Sequence, residues 1–282
     1  MLDETDMIEF GLLPFDHYVM DKWDPNSVLP KTQQFRALVD SWVRLGKEGR
    51  NEYPDGHELL PDEIPSHVPQ DLMSDEERTR DGQTSPILWI RTWFGRKDDP
   101  ASWSAADAGY RRIRSITAED DLDNILDQEC FHDNEKSSSN NPVPDGDESP
   151  EFIDGFACGT PGSVPSYMIT ALMNKPDTLD GLSDRNWPTE SYMRPPEPDM
   201  YQSLMVVVAD RKACEEGWML LLAVNHKGEL LPFKIRERAS WTTQLLVNFT
   251  DGQHLDEDTR NPEHDIEYYR HEGDGWADAS VP

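Results

Sequence analysis

The sequence predicts an α/β fold: a central mixed sheet of about five strands with helices packed on it, a helical N-terminal extension and long acidic loops. Three observations carry this. Residues 203–209 (SLMVVVA) and 218–224 (WMLLLAV) are continuous apolar runs, as strands buried on both faces require. Strand-like and helix-like segments alternate along the chain, the mark of layered α/β architecture. The link from 210 to 217 is too short for a parallel crossover, so the C-terminal strands are expected to pair antiparallel.

The elements follow in order. Residues 31–46 predict a helix, because Phe35, Leu38, Val39, Trp42 and Leu45 recur at helical spacing and Gly46 suits a C-terminal cap. Residues 49–80, rich in Pro, Asp and Glu, predict a linker. ILWIRTWF (87–94) predicts a strand. Asp99 fits an N-cap and Pro100 the first helical position, with Trp103, Ala106, Tyr110 and Ile113 on one helical face. Thr117 and Asp120 resemble a capping box for a second helix carrying Leu122, Ile125 and Leu126. Residues 151–156 predict a short strand and 166–173 a short helix. Asn225-His226-Lys227-Gly228 reads as a hairpin turn into a strand at 229–236, where Pro232 requires an edge or a bulge. Residues 240–249 predict a last helix, capped by Ser240, with Trp241, Leu245 and Val247 toward the sheet. The implied organisation is an extension and linker at 1–84, an α/β domain at 85–255 with mobile polar inserts at 132–151 and 174–200, and an acidic tail at 256–282.

Of the 282 residues, 56 are acidic and 26 basic, a formal net charge of −30. That balance repels phosphate backbones and anionic lipid, so neither nucleic acid nor membrane is an expected partner; a basic protein is. No apolar run is long enough to span a bilayer, and the acidic N-terminus lacks the pattern of a secretory signal, so a cytoplasmic protein is expected. Cys130, Cys158 and Cys214 are widely spaced, which speaks against a disulfide framework or a zinc ribbon.

Common catalytic signatures are absent: there is no phosphate-binding glycine loop, nucleophile elbow or HExxH helix. Arg91, Asp154 and Asp210 fall at predicted strand ends, where open α/β sheets bind ligands. Two carboxylates suit Mg²⁺ and an arginine suits an anion; the structural alternative is an Arg91–aspartate pair fixing the rim of the sheet. Asp98 and Asp99 are explained by the helix start. His264, Glu267 and His271 would share one face if their segment were helical, but the segment is strongly polar. Cys130 and His132 have no second ligand pair in register. Trp89, Trp93, Trp103, Trp218 and Trp241 read as core residues, with Trp241 also a candidate contact residue; Trp187 and Tyr192 suit a surface contact.

The order ILWIRTWF with Trp103 downstream, EFIDGF, SLMVVVAD, WMLLLAV and LLPFKIRERASW followed by Asn248-Phe249 resembles a small α/β family known as a domain of unknown function, over about residues 85–255. Its members carry an apolar strand ending in Arg-Thr-Asp-Phe and a Trp-containing start to the last helix. Arg91, Thr92, Phe94, Trp103 and Trp241 fit those motifs, while Trp93 stands where the family has aspartate. The resemblance implies a fold and no reaction. The function expected is a non-enzymatic protein-interaction module without a cofactor. The alternatives are a divalent-metal enzyme acting on a phosphorylated or anionic substrate, and an inhibitor-like nucleic-acid mimic.

Overall fold

Six strands form one mixed sheet in the order β2-β1-β3-β4-β5-β6. They are β1 (Ile87–Arg91), β2 (Ile125–Leu126), β3 (Leu204–Ala209), β4 (Trp218–Val224), β5 (Leu230–Arg238) and β6 (Tyr268–Tyr269). The computed structural model describes residues 14–53, 65–69, 87–96, 99–117, 125–127, 161–174, 198–258 and 268–277. The predicted strand at 151–156, the insert at 132–151 and most of the one at 174–200 lie outside them.

Strand β4 alone runs against the others: it pairs antiparallel with both β3 and β5, as the short connection predicts. β1 pairs parallel with β3 and with β2, and β5 with β6. The carboxyl ends of five strands therefore share one edge of the sheet.

Both faces are covered, which explains the unbroken apolar runs. On one face Leu88, Ile90, Val206, Val208, Leu220 and Leu222 pack against α1 (Pro14–Lys22), α2 (Lys31–Arg50) and α4 (Ser166–Asn174). On the other, Trp89, Met205, Val207, Met219, Leu221 and Ile235 meet α3 (Pro100–Ile116), α5 (Arg211–Glu216) and α6 (Ala239–Thr250). The result is a three-layer α/β/α sandwich, and the α/β class is as the sequence predicts.

Helix α2 carries the predicted stripe of Phe35, Leu38, Val39 and Trp42 into the first core, whereas Leu45 points to solvent. The helical path breaks at Gly46, where φ is 65°. A side chain there would press on the His226 ring, so the glycine also permits a close approach. Helix α1 is not foreseen, although Phe15, Tyr18 and Val19 stand at i, i+3 and i+4 and all are buried. Within the predicted linker, Val68 is buried in the same core.

Helix α3 starts as expected: Asp99 Oδ1 accepts from the N–H groups of Ala101 and Ser102, and Pro100 follows. Ala106, Tyr110 and Ile113 face the core. Trp103 does not: it is exposed, and its indole N–H donates to the Arg96 carbonyl at 2.6 Å. Farther along, α3 and α5 come so close that a methyl on Gly109 would overlap the Cys214 carbonyl.

Two further expectations are corrected. Ile125 and Leu126 form β2 rather than a helix, because parallel pairing with Trp89 and Ile90 overrides the local capping signal. Helix α6 is not capped by Ser240, whose hydroxyl donates instead to the Ala277 carbonyl; Arg238 occupies the cap position without a side-chain cap. Leu245, Leu246 and Phe249 face the sheet, while Val247 is exposed and Trp241 half-buried.

The turn at 225–228 forms as predicted, with Asn225 Oδ1 accepting from the N–H groups of Lys227 and Glu229. Pro232 lies where the β4–β5 register shifts. It also lies between the two outer partners of β5, Gly162–Ser163 at one end and β6 at the other. Both circumstances spare its missing N–H.

Candidate functional site: the carboxyl edge of the sheet

Because β1, β3, β5 and β6 end on one side, Arg91, Asp210, Arg236, Glu237, Arg238, Arg270 and His271 line the same rim. This is the edge at which open α/β sheets bind ligands. What each group can do depends on what already holds it.

Arg91 closes β1. Its Nη2 meets Asp107 Oδ1 on α3 at 2.6 Å, and its Nε donates to the Trp93 carbonyl at 2.9 Å. The guanidinium lies over the rings of Phe94 and Tyr110, 4.4 and 4.6 Å from their centroids. Arg91 thus anchors the rim as the structural reading expects, but through Asp107, an aspartate not considered for it. The spacing explains the choice: Asp107 lies one turn from Tyr110, on the side of α3 facing the strand end.

Asp210 ends β3 and is almost wholly buried. Its Oδ1 accepts from Arg236 Nη1 at 2.8 Å and from the Ala213 N–H at 3.0 Å, and its Oδ2 faces Arg236 Nη2 at 2.5 Å. Arg236 Nη1 also donates to the Trp218 carbonyl. This two-pronged pair joins β3, β4 and β5 and caps α5, so the carboxylate is committed to structure. Arg91 and Asp210 share the rim without pairing with each other. Asp154, His264 and Glu267 lie outside the described residues, as do Asp98, Cys130, His132, Trp187 and Tyr192. Among the described residues no three His, Cys, Asp or Glu side chains converge as metal ligands would.

The sequence reading passes over a second charged group on this edge. Glu237, fully buried at the end of β5, receives the Arg238 N–H at 2.7 Å. Arg270 Nε lies 3.4 Å from Glu237 Oε2 and His271 Nε2 lies 3.2 Å from Oε1. The histidine contact is oblique, since Nε2 finds no acceptor in hydrogen-bond geometry. The two side chains are therefore neighbours without a directed bond. Trp241 tilts against the imidazole with ring centroids 5.4 Å apart, which is where the structure puts that candidate. Burial, then the charges of Arg238 and Arg270, hold the His271 pKa below its ordinary value. The sequence signal was Glu237 itself, which continues the alternate apolar positions Leu231, Phe233 and Ile235 of β5.

Two groups elsewhere resemble catalytic parts and are tied to structure. At the opposite edge, His226 Nε2 meets Asp199 Oδ1 at 3.1 Å, an acid–histidine pair in appearance. Its Nδ1, however, accepts the Lys47 N–H at 2.9 Å, so the nitrogen a general base would need is already used. Lys227 and His226 hold the Asp199 carboxyl below the usual range. Cys214 is the other, and burial pushes its thiol up to about 12. We expect iodoacetamide at pH 8 to leave Cys214 unmodified in the native protein and to label it after unfolding, read by peptide mapping; rapid native labelling would contradict its burial.

Tyr110 fastens this half of the rim. Its hydroxyl donates to Asp127 Oδ2 at 2.8 Å and accepts from the Trp89 indole N–H at 3.1 Å, and burial raises its pKa. A shallow groove of about 330 Å³ lies elsewhere, between α2 and the 161–174 segment, lined by Gln33, Arg36, Ala37, Asp40, Val164 and Ile169. Among the described residues no helix is long and apolar enough to cross a membrane. Comparison of the chain with known family models, curated proteins and solved structures gives no match, so the resemblance above stands on its motifs alone.

Proposed function

We propose that the protein is a non-enzymatic interaction module that captures basic protein partners through acidic segments carried on a charge-balanced α/β body. One observation supports this reading most strongly. The described residues hold 18 of the 26 basic side chains but only 21 of the 56 acidic ones. The body is thus nearly neutral, and the excess acid belongs to the segments between and beyond its elements. Acids grouped in this way make a local potential that attracts cations over roughly one Debye length, ~8–10 Å at physiological salt.

The body supplies a scaffold. Its rim charges are matched among themselves: Arg91 with Asp107, and Arg236 with Asp210. The divalent-metal reading draws less support, because Asp210 is held by Arg236 and the α5 cap. The nucleic-acid-mimic reading needs a stripe of acid, which a body of nearly equal charge counts does not favour.

The test uses a lysine-rich peptide and the full chain, followed by fluorescence anisotropy at 50 and 300 mM NaCl. We expect binding at low salt that weakens at least about tenfold at high salt. Changing the eight acidic residues from Glu129 to Asp154 to their amides should weaken it further. Binding that ignores both salt and the amide variant would remove this reading.

A further inference from the structure

Val28 and Leu29 are the two most exposed large apolar side chains among the described residues, 98% and 48% open to water, and they are adjacent. They sit on the turn between α1 and α2, and hydrogen bonds hold that turn in shape. The Asn26 N–H donates to Asp24 Oδ1 at 2.9 Å, the Ser27 N–H to the Asp24 carbonyl at 3.2 Å, and the Leu29 N–H to Ser27 Oγ at 3.2 Å. Pro25 and Pro30 flank these residues and restrict the backbone further. The turn therefore presents two apolar side chains in a fixed shape, an exposure that nothing within one chain relieves.

The groove between α2 and the 161–174 segment is their counterpart. It begins at Gln33, in the first turn of α2, and its apolar wall is Ala37, Val164 and Ile169. A cavity of about 150 Å³ takes one benzene-sized group, so about 330 Å³ has room for two aliphatic side chains. The charged groups at its lip already have partners. Arg36 donates to Thr170 Oγ1 at 2.9 Å, and Arg44 to the two oxygens of Asp40 at 2.9 and 3.0 Å. An apolar group can thus enter without orphaning either charge.

Charge decides which occupant suits. Residues 14–53 hold six acidic and six basic side chains and residues 161–174 hold none, so this face is neutral in a chain of −30. A second copy meets less repulsion here than at the acidic segments, to which a basic partner is drawn instead. We propose that two copies of the chain pair through this face, the Val28–Leu29 tip of each entering the groove of the other. The tip precedes the groove along α2. A two-fold arrangement with the α2 helices antiparallel therefore uses both tips and both grooves and closes, whereas a head-to-tail one would grow into open chains.

Sedimentation of the full chain from 5 to 200 μM, in 150 and 500 mM NaCl, tests this. We expect a reversible monomer–dimer equilibrium that strengthens with salt, because salt screens the repulsion between two chains of −30 and leaves apolar contact intact. Capture of a basic peptide responds to salt in the opposite sense, so the two activities are separable. Val28→Asp with Leu29→Asp, and Ala37→Trp on the groove side, should each weaken pairing at least about tenfold. All three positions are exposed, so the fold should be kept, as circular dichroism can check. An equal mixture of the two variants should pair better than either alone, since one intact tip then meets one open groove. The proposal is overturned by a chain that stays monomeric throughout, a dimer that salt dissolves, or species larger than a dimer. A variant that pairs like the wild type, or a mixture no better than its parts, overturns it equally.

Discussion

Asp210→Asn is expected to lower the free energy of unfolding by about 3–5 kcal/mol, the range seen when one member of a buried ion pair is removed. The carboxylate is the partner that Arg236 has within the sheet, and both side chains are excluded from water. An amide is almost the same size, so packing barely changes. It can still accept from the Ala213 N–H and keep the α5 cap. What it cannot do is balance a guanidinium, and its own NH₂ group would face one of the Arg236 donors. The loss is therefore electrostatic, with little contribution from a cavity. Urea unfolding followed by circular dichroism measures it. The double change Asp210→Leu with Arg236→Met should recover most of the loss, because apolar pairs of similar volume often replace buried ion pairs without penalty. If Asp210→Asn proves neutral, the pair does not tie the three strands together as described.

Trp42→Ala is expected to cost a similar amount, about 3–5 kcal/mol, for a different reason. Trp42 is fully buried between α2 and the sheet. Its ring lies 5.1 Å from Tyr18 and 5.6 Å from Phe15 and Tyr53, so one side chain holds α1, α2 and the turn after α2 together. Truncation leaves a void that a layer backed by the sheet cannot close. Trp42→Phe should cost less than half as much. It keeps most of the aromatic contact and removes an indole N–H that is buried without an acceptor. The effect must appear in the global transition, with fluorescence and far-ultraviolet dichroism moving together. A loss confined to α1 and α2, with the sheet unfolding as before, would mean that these helices are appended rather than integral.

Those two positions show how unevenly the fold is written in the chain. Trp42 belongs to a stripe repeated every three or four residues, a signal contained in one helix. The strands β3 and β4, the turn at 225–228 and the Asp99–Pro100 helix start are legible in the same way. Asp210 is visible as a strand-end acid, but its partner is not. Arg236 stands 26 residues later in a strand whose charges alternate with apolar side chains. Arg91 likewise takes Asp107, a helical residue of no local distinction. Two elements escape local reading altogether. β2 is made by its neighbour Trp89–Ile90, and β6 has two residues that become a strand only beside Ile235 and Arg236.

What the sequence by itself determined was the α/β class, the antiparallel C-terminal half, the break at Gly46 and the excess of acidic over basic residues. Each depends on residues within a few positions of one another, where periodicity, backbone preference and charge act directly. Only the tertiary structure decided which charge meets which, that Glu237 and Arg236 are buried, and that a late segment lies across the carboxyl edge. A charged side chain enters a low-dielectric interior only if a partner is already there, and that partner is delivered by strand order and register rather than by its neighbours in sequence.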